Sequence, residues 1–445
     1  MNNQILMDIF QTALAAVDPL HAVQRTLRIE KNRLYAGGGE YSLDGFSRVL
    51  VVGAGKATAR MAMAIEELLG DSISGGLIVV KDGHTGPLRT ISQLEASHPV
   101  PDERGVEGTR RILQLVRSAG DDTLVLCLLS GGGSALLVAP ERGLTLADKR
   151  ETTDLLLRAG ASINELNAVR KHLSSVKGGR LAEAAAPATL LTFILSDVIG
   201  NALDVIASGP TAPDSTTFGN ALAVIARYGL EQKVPKQVRE HLGRGAEGLI
   251  PETVKADDPC LSKTRNIVIG GNSQALAAAR EKARQLSLEA EIITEALQGD
   301  ARDAAVRLAR TAREAKAQMK PGERRCLLAG GETTVTVRGT GMGGRNQELA
   351  LAFALEIAGT EGITLLSAGT DGTDGPTDAA GAVVDGMTVP KAREQGLDPN
   401  RFLENNDSYT FFQAFDEQSG GTTHVKTGPT GTNVMDLQVI LVSNP

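Results

Sequence analysis

The chain has 445 residues, of which 42% are hydrophobic and 22% are charged, and its formal net charge is −7. This length exceeds the usual size of one hydrophobic core, so we expect two globular domains. The acidic balance and an aromatic content of only 3% argue against a nucleic-acid partner, because such partners need cationic grooves and stacking platforms. No apolar run approaches the ~20 residues of a membrane span, and the first residues lack the basic start of a signal peptide. We therefore expect a cytoplasmic protein without a membrane partner.

The first strong predicted strand, residues 48–52, ends in the turn GAGKAT, residues 53–58, and a helix follows. A Walker A loop is excluded, because the first glycine of its GxxxxGK pattern, five residues before Gly55, is absent. The dinucleotide-binding fingerprint is excluded too, since its third glycine would stand at Thr58. Lys56 lies at the end of the strand beside a helix start, which suits a counter-charge for phosphate or carboxylate.

Residues 124–137 combine an unbroken apolar run, three consecutive glycines and a helix-forming segment. The apolar run predicts a parallel strand that is covered on both faces. The loop behind it would present backbone N–H groups to an anion, although a glycine-rich turn without a ligand is the alternative. The residues that we expect to bind substrate or nucleotide here are Ser130, Gly131, Gly132, Gly133 and Ser134.

Residues 163–180 concentrate positive charge in a chain that is acidic overall. A solvated helix face is one interpretation. The paired glycines after Lys177 favour the other, a basic wall around an anionic pocket, because glycines let the backbone approach a ligand. We expect Arg170, Lys171 and Lys177 to line this pocket.

Asp197 follows a buried apolar strand, residues 189–196. Open α/β sheets bind ligands beyond the carboxyl ends of their strands, so a carboxylate there is a candidate metal ligand or general base. We expect Asp197 to be the catalytic carboxylate of this half of the chain.

A second set of strands and helices begins after a polar stretch that contains several prolines. We predict an N-terminal domain over residues 1–250, a connection over 251–265 and a C-terminal domain over 266–445. The expected fold class is α/β, with a Rossmann-like parallel sheet in the first domain and a smaller α/β domain that faces it across a cleft.

Polar side chains also follow the predicted strands of the second domain. Asn272 and Glu332 come after two of them, and both are candidates for binding substrate or nucleotide. Arg345 and Asn346 begin a helix directly after four glycines in six residues. This arrangement is typical of a phosphate cradle, in which the arginine would be catalytic.

The loop after the next strand contains three aspartates among glycines, residues 368–378. Magnesium held together with substrate phosphates suits Asp371 and Asp374, whereas a turn stabilised by its own side chains is the alternative. Parallel strands would bring such loops to one edge of each sheet. Lysine, arginine, Mg²⁺ and a carboxylate are the parts that phosphoryl transfer needs.

The order of the longer motifs resembles the class II glycerate kinases over nearly the whole chain. This resemblance implies two domains and the phosphorylation of D-glycerate by ATP with Mg²⁺, with 2-phosphoglycerate as the usual bacterial product. It also implies an interdomain active site, and Lys56, Asp197, Arg345 and Asp371 match the residues proposed for it. The motifs are VVGAGKA, SHPVPD, LLSGGGSALL, LSDVIGNALDVIASGPT, GGETTV, GGRNQELALAFAL, SAGTDGTDGPTDAAGA and KTGPTGTNVMDL.

Two other functions remain as alternatives. Some relatives, encoded beside tartrate-degradation enzymes, carry the label hydroxypyruvate reductase, but neither glycine loop has the GxGxxG spacing that a nicotinamide cofactor would need. A binding protein without catalysis would not need paired acid and base candidates. The sequence leaves open the acceptor carbon, the preferred nucleotide, the domain that holds each substrate, and whether the protein is a homodimer.

Overall fold

A computed structural model describes residues 2–444, which divide into two compact units. Unit I is Pro19–Ile269, and unit II combines residues 2–18 with residues 270–444. This division differs from the expected boundaries at both ends of the first domain. The first helix belongs to unit II, and the expected connection is part of unit I, because the chain there leads into a strand of the unit I sheet.

The helices in chain order are α1 (Asn2–Ala16), α2 (Pro19–Thr26), α3 (Thr58–Leu69), α4 (Glu103–Arg117), α5 (Gly133–Leu136), α6 (Leu146–Arg158), α7 (Ile163–His172), α8 (Arg180–Ala185), α9 (Phe218–Arg227), α10 (Lys236–Ala246), α11 (Asn272–Gln285), α12 (Ala301–Ala317), α13 (Arg345–Glu356), α14 (Thr388–Glu394), α15 (Pro399–Glu404) and α16 (Ser408–Ser419). The strands are β1 (Arg28–Glu30), β2 (Arg33–Ala36), β3 (Gly39–Ser42), β4 (Arg48–Ala54), β5 (Gly75–Lys81), β6 (Ile91–Ala96), β7 (Thr123–Leu129), β8 (Thr189–Leu195), β9 (Thr264–Gly270), β10 (Glu289–Leu297), β11 (Arg324–Gly331), β12 (Ile363–Gly369), β13 (Gly381–Asp385), β14 (His424–Val425) and β15 (Asp436–Ser443).

Unit I contains a six-stranded parallel sheet in the order β6-β5-β4-β7-β8-β9, which is the strand order of Rossmann folds. Ala54 at the end of β4 lies opposite Leu129 at the end of β7, and Leu129 lies opposite Ile194 in β8. The three strands therefore end at one edge. The chain reverses its direction across the sheet between β4 and β7, and ligands of such sheets bind in the crevice at this switch point.

Two of the hydrophobic clusters in unit I fix elements near its sheet edge. The larger one lies between the sheet and helices such as α4 and α8, and every residue of β7 is buried, as a doubly covered strand requires. A smaller cluster around Phe218 joins α7 to α9 and α10. This second cluster fixes α7, the helix that carries Arg170.

Unit II contains a mixed sheet in the order β10-β11-β15-β12-β13-β14. Parallel strands were expected in this unit, but β15 runs antiparallel between β11 and β12. Its first residue, Asp436, consequently lies opposite both Gly331 at the end of β11 and Gly369 at the end of β12. The start of β15 and the ends of its two neighbours thus share one edge.

None of the helices formed by residues 2–444 has both the length and the apolar character of a membrane span.

Candidate functional site

The turn after β4 and the loop after β7 interlock at the switch point of unit I. The Lys56 amide donates to the carbonyl of Gly131 over 2.9 Å, and the Ala57 amide donates to Ser130 Oγ over 3.0 Å. A Cβ built on Gly55 would collide with Ser130, and Gly55 has a φ of +148° that other residues rarely adopt. The glycine is therefore required for the two loops to approach.

Backbone donors without protein partners lie in this loop. Within residues 2–444, the N–H groups of Gly131 and Gly132 have no hydrogen-bond acceptor. A Cβ built on Gly132 would lie 3.3 Å from Lys56 Cγ and 3.0 Å from His98 Cδ2, so both side chains flank this backbone. Gly131 is buried and Gly132 is half-buried, and N–H groups removed from water are almost always paired, so these two and the half-buried Lys56 together favour an anionic ligand.

His98 is a neighbour of this loop that sequence reasoning treats as structural. Burial, reinforced by the charges of Lys56 and Lys81, lowers the pKa of His98 to about 4. The imidazole is therefore neutral at physiological pH. It can accept or donate a hydrogen bond without adding charge to the site.

In the basic segment, residues 163–180, an arginine without a partner stands next to a lysine that is fully paired. Arg170 is half-buried, burial lowers its pKa, and its guanidinium forms no salt bridge or hydrogen bond within the described chain. Lys171 is 2% exposed, and its Nζ lies 3.1 Å from Asp204 Oδ2 and 3.2 Å from Asp214 Oδ1. The structure thus gives Lys171 a buried ion pair in place of the expected contact with a ligand, and it leaves Arg170 available for one.

Two further lysines are buried behind Arg170. Lys177 donates to the carbonyl and the hydroxyl of Ser134 over 2.8 and 2.9 Å. Lys149, which sequence reasoning missed because a lysine on α6 looks solvated, donates to the carbonyl of Leu173 over 2.7 Å and caps the end of α7. Burial, reinforced by the charge of Arg170, lowers the pKa of Lys149 to about 7. The wall is basic, as expected, but most of its charge is buried.

Ser208 and Asn167 are two more residues that the sequence does not single out. Ser208 Oγ lies 2.8 Å from Ser134 Oγ and donates to Asn167 Oδ1 over 3.1 Å. Ala207 and Ser208 have φ values of +51° and +61°, in the left-handed region that costs non-glycine residues energy. The packed surroundings must hold this turn in place.

Asp197 is half-buried and follows β8 by two residues. The register of the sheet places the end of β8 at the same edge as the loops of Lys56 and Ser130. Asp197 is therefore at the expected edge of unit I.

In unit II, Arg345 lies where β11 ends and β15 begins. Its Nε and Nη2 donate to the two carboxylate oxygens of Asp436 over 2.6 and 2.9 Å, and its Nη1 lies 2.8 Å from Glu332 Oε1. Burial by itself would lower the pKa of Arg345, but these carboxylates raise it above its usual value. Asp436, which sequence reasoning missed, is fully buried and holds the arginine in a bidentate pair.

The Asp374 carboxylate binds the first turn of helix α13. It accepts hydrogen bonds from the backbone N–H groups of Asn346, over 3.1 Å, and Gln347, over 2.9 Å. Burial raises the pKa of Asp374 to about 6, although these hydrogen bonds act in the opposite direction. Asn346 is itself buried and accepts a hydrogen bond from Ser367 over 2.8 Å. Both residues therefore support the start of α13.

The first part of the glycine-rich loop before Arg345, residues 338–342, is bonded to a neighbouring turn. Its amides donate to this turn: Arg338 to Asn406 Oδ1 over 2.7 Å and Met342 to Asp407 Oδ1 over 2.9 Å. A Cβ on Gly344 would collide with the Asp374 carboxyl group. These glycines permit close packing.

Asn272 and Asp371 complete the candidates of unit II. The Asn272 side chain is buried and donates to the carbonyls of Val434 and Asp436 over 2.9 and 3.0 Å, so it ties α11 to the sheet. Asp371 is half-buried, and its Oδ1 accepts the amide of Thr373 over 3.2 Å. Among residues 2–444, no three acidic, histidine or cysteine side chains are grouped to hold a metal ion by themselves.

Comparison with known proteins extends these observations. Residues 5–243 match the model of a domain of unknown function, DUF4147, and residues 325–436 match the MOFRL family. The D-glycerate 2-kinase of Thermotoga maritima is 44% identical over 441 residues, which covers 99% of this chain and 98% of that protein. This chain belongs to the class II glycerate kinase family.

Two further matches bear on the glycerate kinase family. The crystal structure of glycerate kinase from Thermotoga maritima superposes with a TM-score of 0.86 at 42% identity and covers 99% of both chains. A protein of Agrobacterium vitis named putative hydroxypyruvate reductase is 42% identical and covers 99% of this chain and 94% of that protein. Relatives of this chain thus carry both the glycerate kinase and the hydroxypyruvate reductase names.

Proposed function

We propose that this protein transfers the γ-phosphoryl group of ATP to D-glycerate in the presence of Mg²⁺ and forms 2-phosphoglycerate. The names of its relatives support a kinase acting on glycerate. The observation that carries the proposal is that the N–H groups of Gly131 and Gly132 lack acceptors beside Lys56, at the switch point of a Rossmann-like sheet.

Glycerate is an anion, and unit I offers donors for its carboxylate. Arg170 is half-buried without a carboxylate partner, and an arginine can bind a carboxylate through two parallel hydrogen bonds. The N–H groups of Gly131 and Gly132 supply further donors for the same carboxylate. Lys56 then neutralises charge on the transferring phosphoryl group, and Asp197 orients the acceptor hydroxyl.

The nucleotide needs a cation, and Asp371 suits one ligand position. Mg²⁺ commonly takes one or two carboxylates and completes its shell with water and phosphate oxygens, so a site without three grouped protein ligands is compatible with it. Bound Mg²⁺ would neutralise charge on the phosphates during transfer. Asp374 is the weaker candidate because both of its oxygens bind the start of α13.

The second candidate function is an NAD(P)H-dependent reduction of hydroxypyruvate, which the name of the Agrobacterium vitis relative suggests. The turn after β4 argues against it. Thr58 stands where a dinucleotide site has its third glycine, and its hydroxyl lies 3.1 Å from Ser130 Oγ. The turn after β4 therefore lacks the third glycine of a dinucleotide site and is instead bonded to the loop after β7.

A coupled assay tests both candidates. Purified protein is incubated with D-glycerate, ATP and Mg²⁺, and enolase reports 2-phosphoglycerate directly, while a parallel sample contains hydroxypyruvate with NADH or NADPH. We expect an enolase signal without added mutase and no nicotinamide oxidation. ATP consumption without the enolase signal would contradict transfer to carbon 2, and nicotinamide oxidation without ATP turnover would refute the kinase.

A further inference from the structure

The buried amine of Lys177 is surrounded by neutral oxygens. Its side chain is 2% exposed, and Nζ lies 2.8 Å from the carbonyl oxygen of Ser134 and 3.3 Å from that of Ala207. A third neighbour, Ser134 Oγ, lies 2.9 Å away. An uncharged amine has two N–H groups and one lone pair. The two carbonyl oxygens can take the two N–H groups, which leaves the lone pair facing the Ser134 hydroxyl.

The charges around Lys177 favour this uncharged form. Burial lowers the pKa of Lys177 well below its usual value, and the cations Lys149 on α6 and Arg170 on α7 lower it further. Other charged groups of the adjoining elements form ion pairs, namely Lys171 with Asp204 and Asp214, and Arg180 with Glu141.

A chain of hydroxyl groups can carry a proton to this amine. Asn167 Oδ1 only accepts hydrogen bonds, so the Ser208 hydroxyl donates to it over 3.1 Å and leaves its own lone pairs toward Ser134 Oγ, 2.8 Å away. The Ser134 hydroxyl can therefore donate either to Lys177 or to Ser208. The network stays fully hydrogen-bonded when Lys177 is neutral and when it is protonated.

We infer that Ser134 removes the proton from the hydroxyl of glycerate as the phosphoryl group arrives, and that Lys177 accepts the proton of Ser134. The inference rests on the proposed function. The O–H bond of glycerate breaks, Ser134 Oγ takes that proton, and the proton of Ser134 passes to Lys177 Nζ. The freed glycerate oxygen bonds to the γ-phosphorus while the bond to the leaving ADP oxygen breaks. Ser134 is half-buried and belongs to the loop whose N–H groups lack partners, so it lies where the substrate is proposed to bind.

The test compares Ser134→Ala with Ser175→Ala, a half-buried serine whose hydroxyl donates only to the carbonyl of Pro140. We expect Ser134→Ala to lower kcat roughly 100-fold with both KM values unchanged within about threefold, and Ser175→Ala to change neither. In the wild type, kcat falls as the pH drops through the pKa of Lys177, because protonation removes the acceptor. This acidic limb is lost in Ser134→Ala.

Lys177→Arg is the second variant, because arginine stays protonated and cannot accept the proton. It should lose kcat to the same extent, with its folding checked by circular dichroism. The inference is overturned if Ser134→Ala keeps its kcat, if only its KM for glycerate rises, or if Asp197→Asn alone abolishes the acidic limb. A wild type without any glycerate turnover would instead refute the proposed function, and this inference with it.

Discussion

Arg170 and Lys171 are adjacent in the sequence and have opposite environments. Neighbouring residues of a helix point about 100° apart, so one of them can face a pocket while the other is buried. Lys171 is held by two aspartates, whereas Arg170 has no carboxylate partner among residues 2–444. Residue type and clustering predict a basic region, but the direction of each side chain depends on the packing of α7.

Asp374 gives a pH-dependent stability whose sign follows from its burial. Its pKa is raised from 3.8 to about 6, so the folded protein binds this proton more tightly than the unfolded chain. The contribution to stability is fully present below pH 3.8 and is lost as the pH rises through 6. Asp374→Asn cannot ionise, so its unfolding free energy relative to wild type should improve by about 1 kcal/mol between pH 5 and pH 7.

Denaturant unfolding at the two pH values measures this difference. Asp303→Asn, at an exposed position on α12, is the matched control and should show no such change. An Asp374→Asn difference that is constant with pH would mean that the carboxylate is ionised throughout this range, with the hydrogen bonds from α13 outweighing burial.

Two glycine-rich loops with similar sequences have different structures. In residues 130–134 the glycines leave backbone donors unpaired, whereas the amides of residues 339–342 are bonded to the turn at residues 405–407. The amides of residues 339–342 are therefore already used and are not available to a phosphate.

Gly344→Ala should destabilise the start of α13. The added methyl would collide with the Asp374 carboxyl group, and overpacking of this kind costs about 1–3 kcal/mol. Thermal unfolding measures the loss. Gly243→Ala on α10 is the control, since a Cβ there meets nothing within 4 Å, and it should stabilise the protein by roughly 0.5–1 kcal/mol. Equal effects of the two substitutions would contradict the close packing at Gly344.

Buried apolar runs and their glycine exits were sufficient to predict the strands that carry Lys56, Ser130 and Asp197, because parallel strands bring such exits to one edge. The reversed direction of β15 could not be predicted, since an apolar strand has the same pattern in both directions. Asp436 was missed for this reason: it precedes a strand, and only the antiparallel register places it beside Arg345. The buried roles of Lys149 and Lys177 depend on contacts between distant segments, which no local pattern reveals.

At the scale of the whole molecule, unit II is built from both ends of the chain. Helix α1 buries Leu6, Ile9 and Phe10 within this unit, and the carbonyl of Val17 accepts a hydrogen bond from Thr432 over 2.8 Å. The expected domain boundary differs here because the pattern of an amphipathic helix predicts that it covers an apolar surface, but it does not identify that surface.

Phe10→Ala should therefore weaken unit II and leave unit I unchanged. Removing a fully buried phenylalanine costs about 3–5 kcal/mol. Hydrogen exchange is expected to become faster in α11 and β15 but not in β4 or β7. Gln11→Ala, at an exposed position of the same helix, should have an effect within about 0.5 kcal/mol. Equal acceleration in both units would refute the assignment of α1 to unit II.

The split composition of unit II sets an order of events during synthesis. Helix α1 leaves the ribosome before unit I, but its partner β15 is translated only after the whole of unit I. At 5–20 residues per second, the apolar face of α1 waits roughly 20–80 s for that strand. Unit I can fold during this interval, whereas unit II cannot be completed until β15 has been translated. The apolar face of α1 is thus exposed in the nascent chain while unit I is synthesised. This helix is the segment for which a chaperone would be most useful.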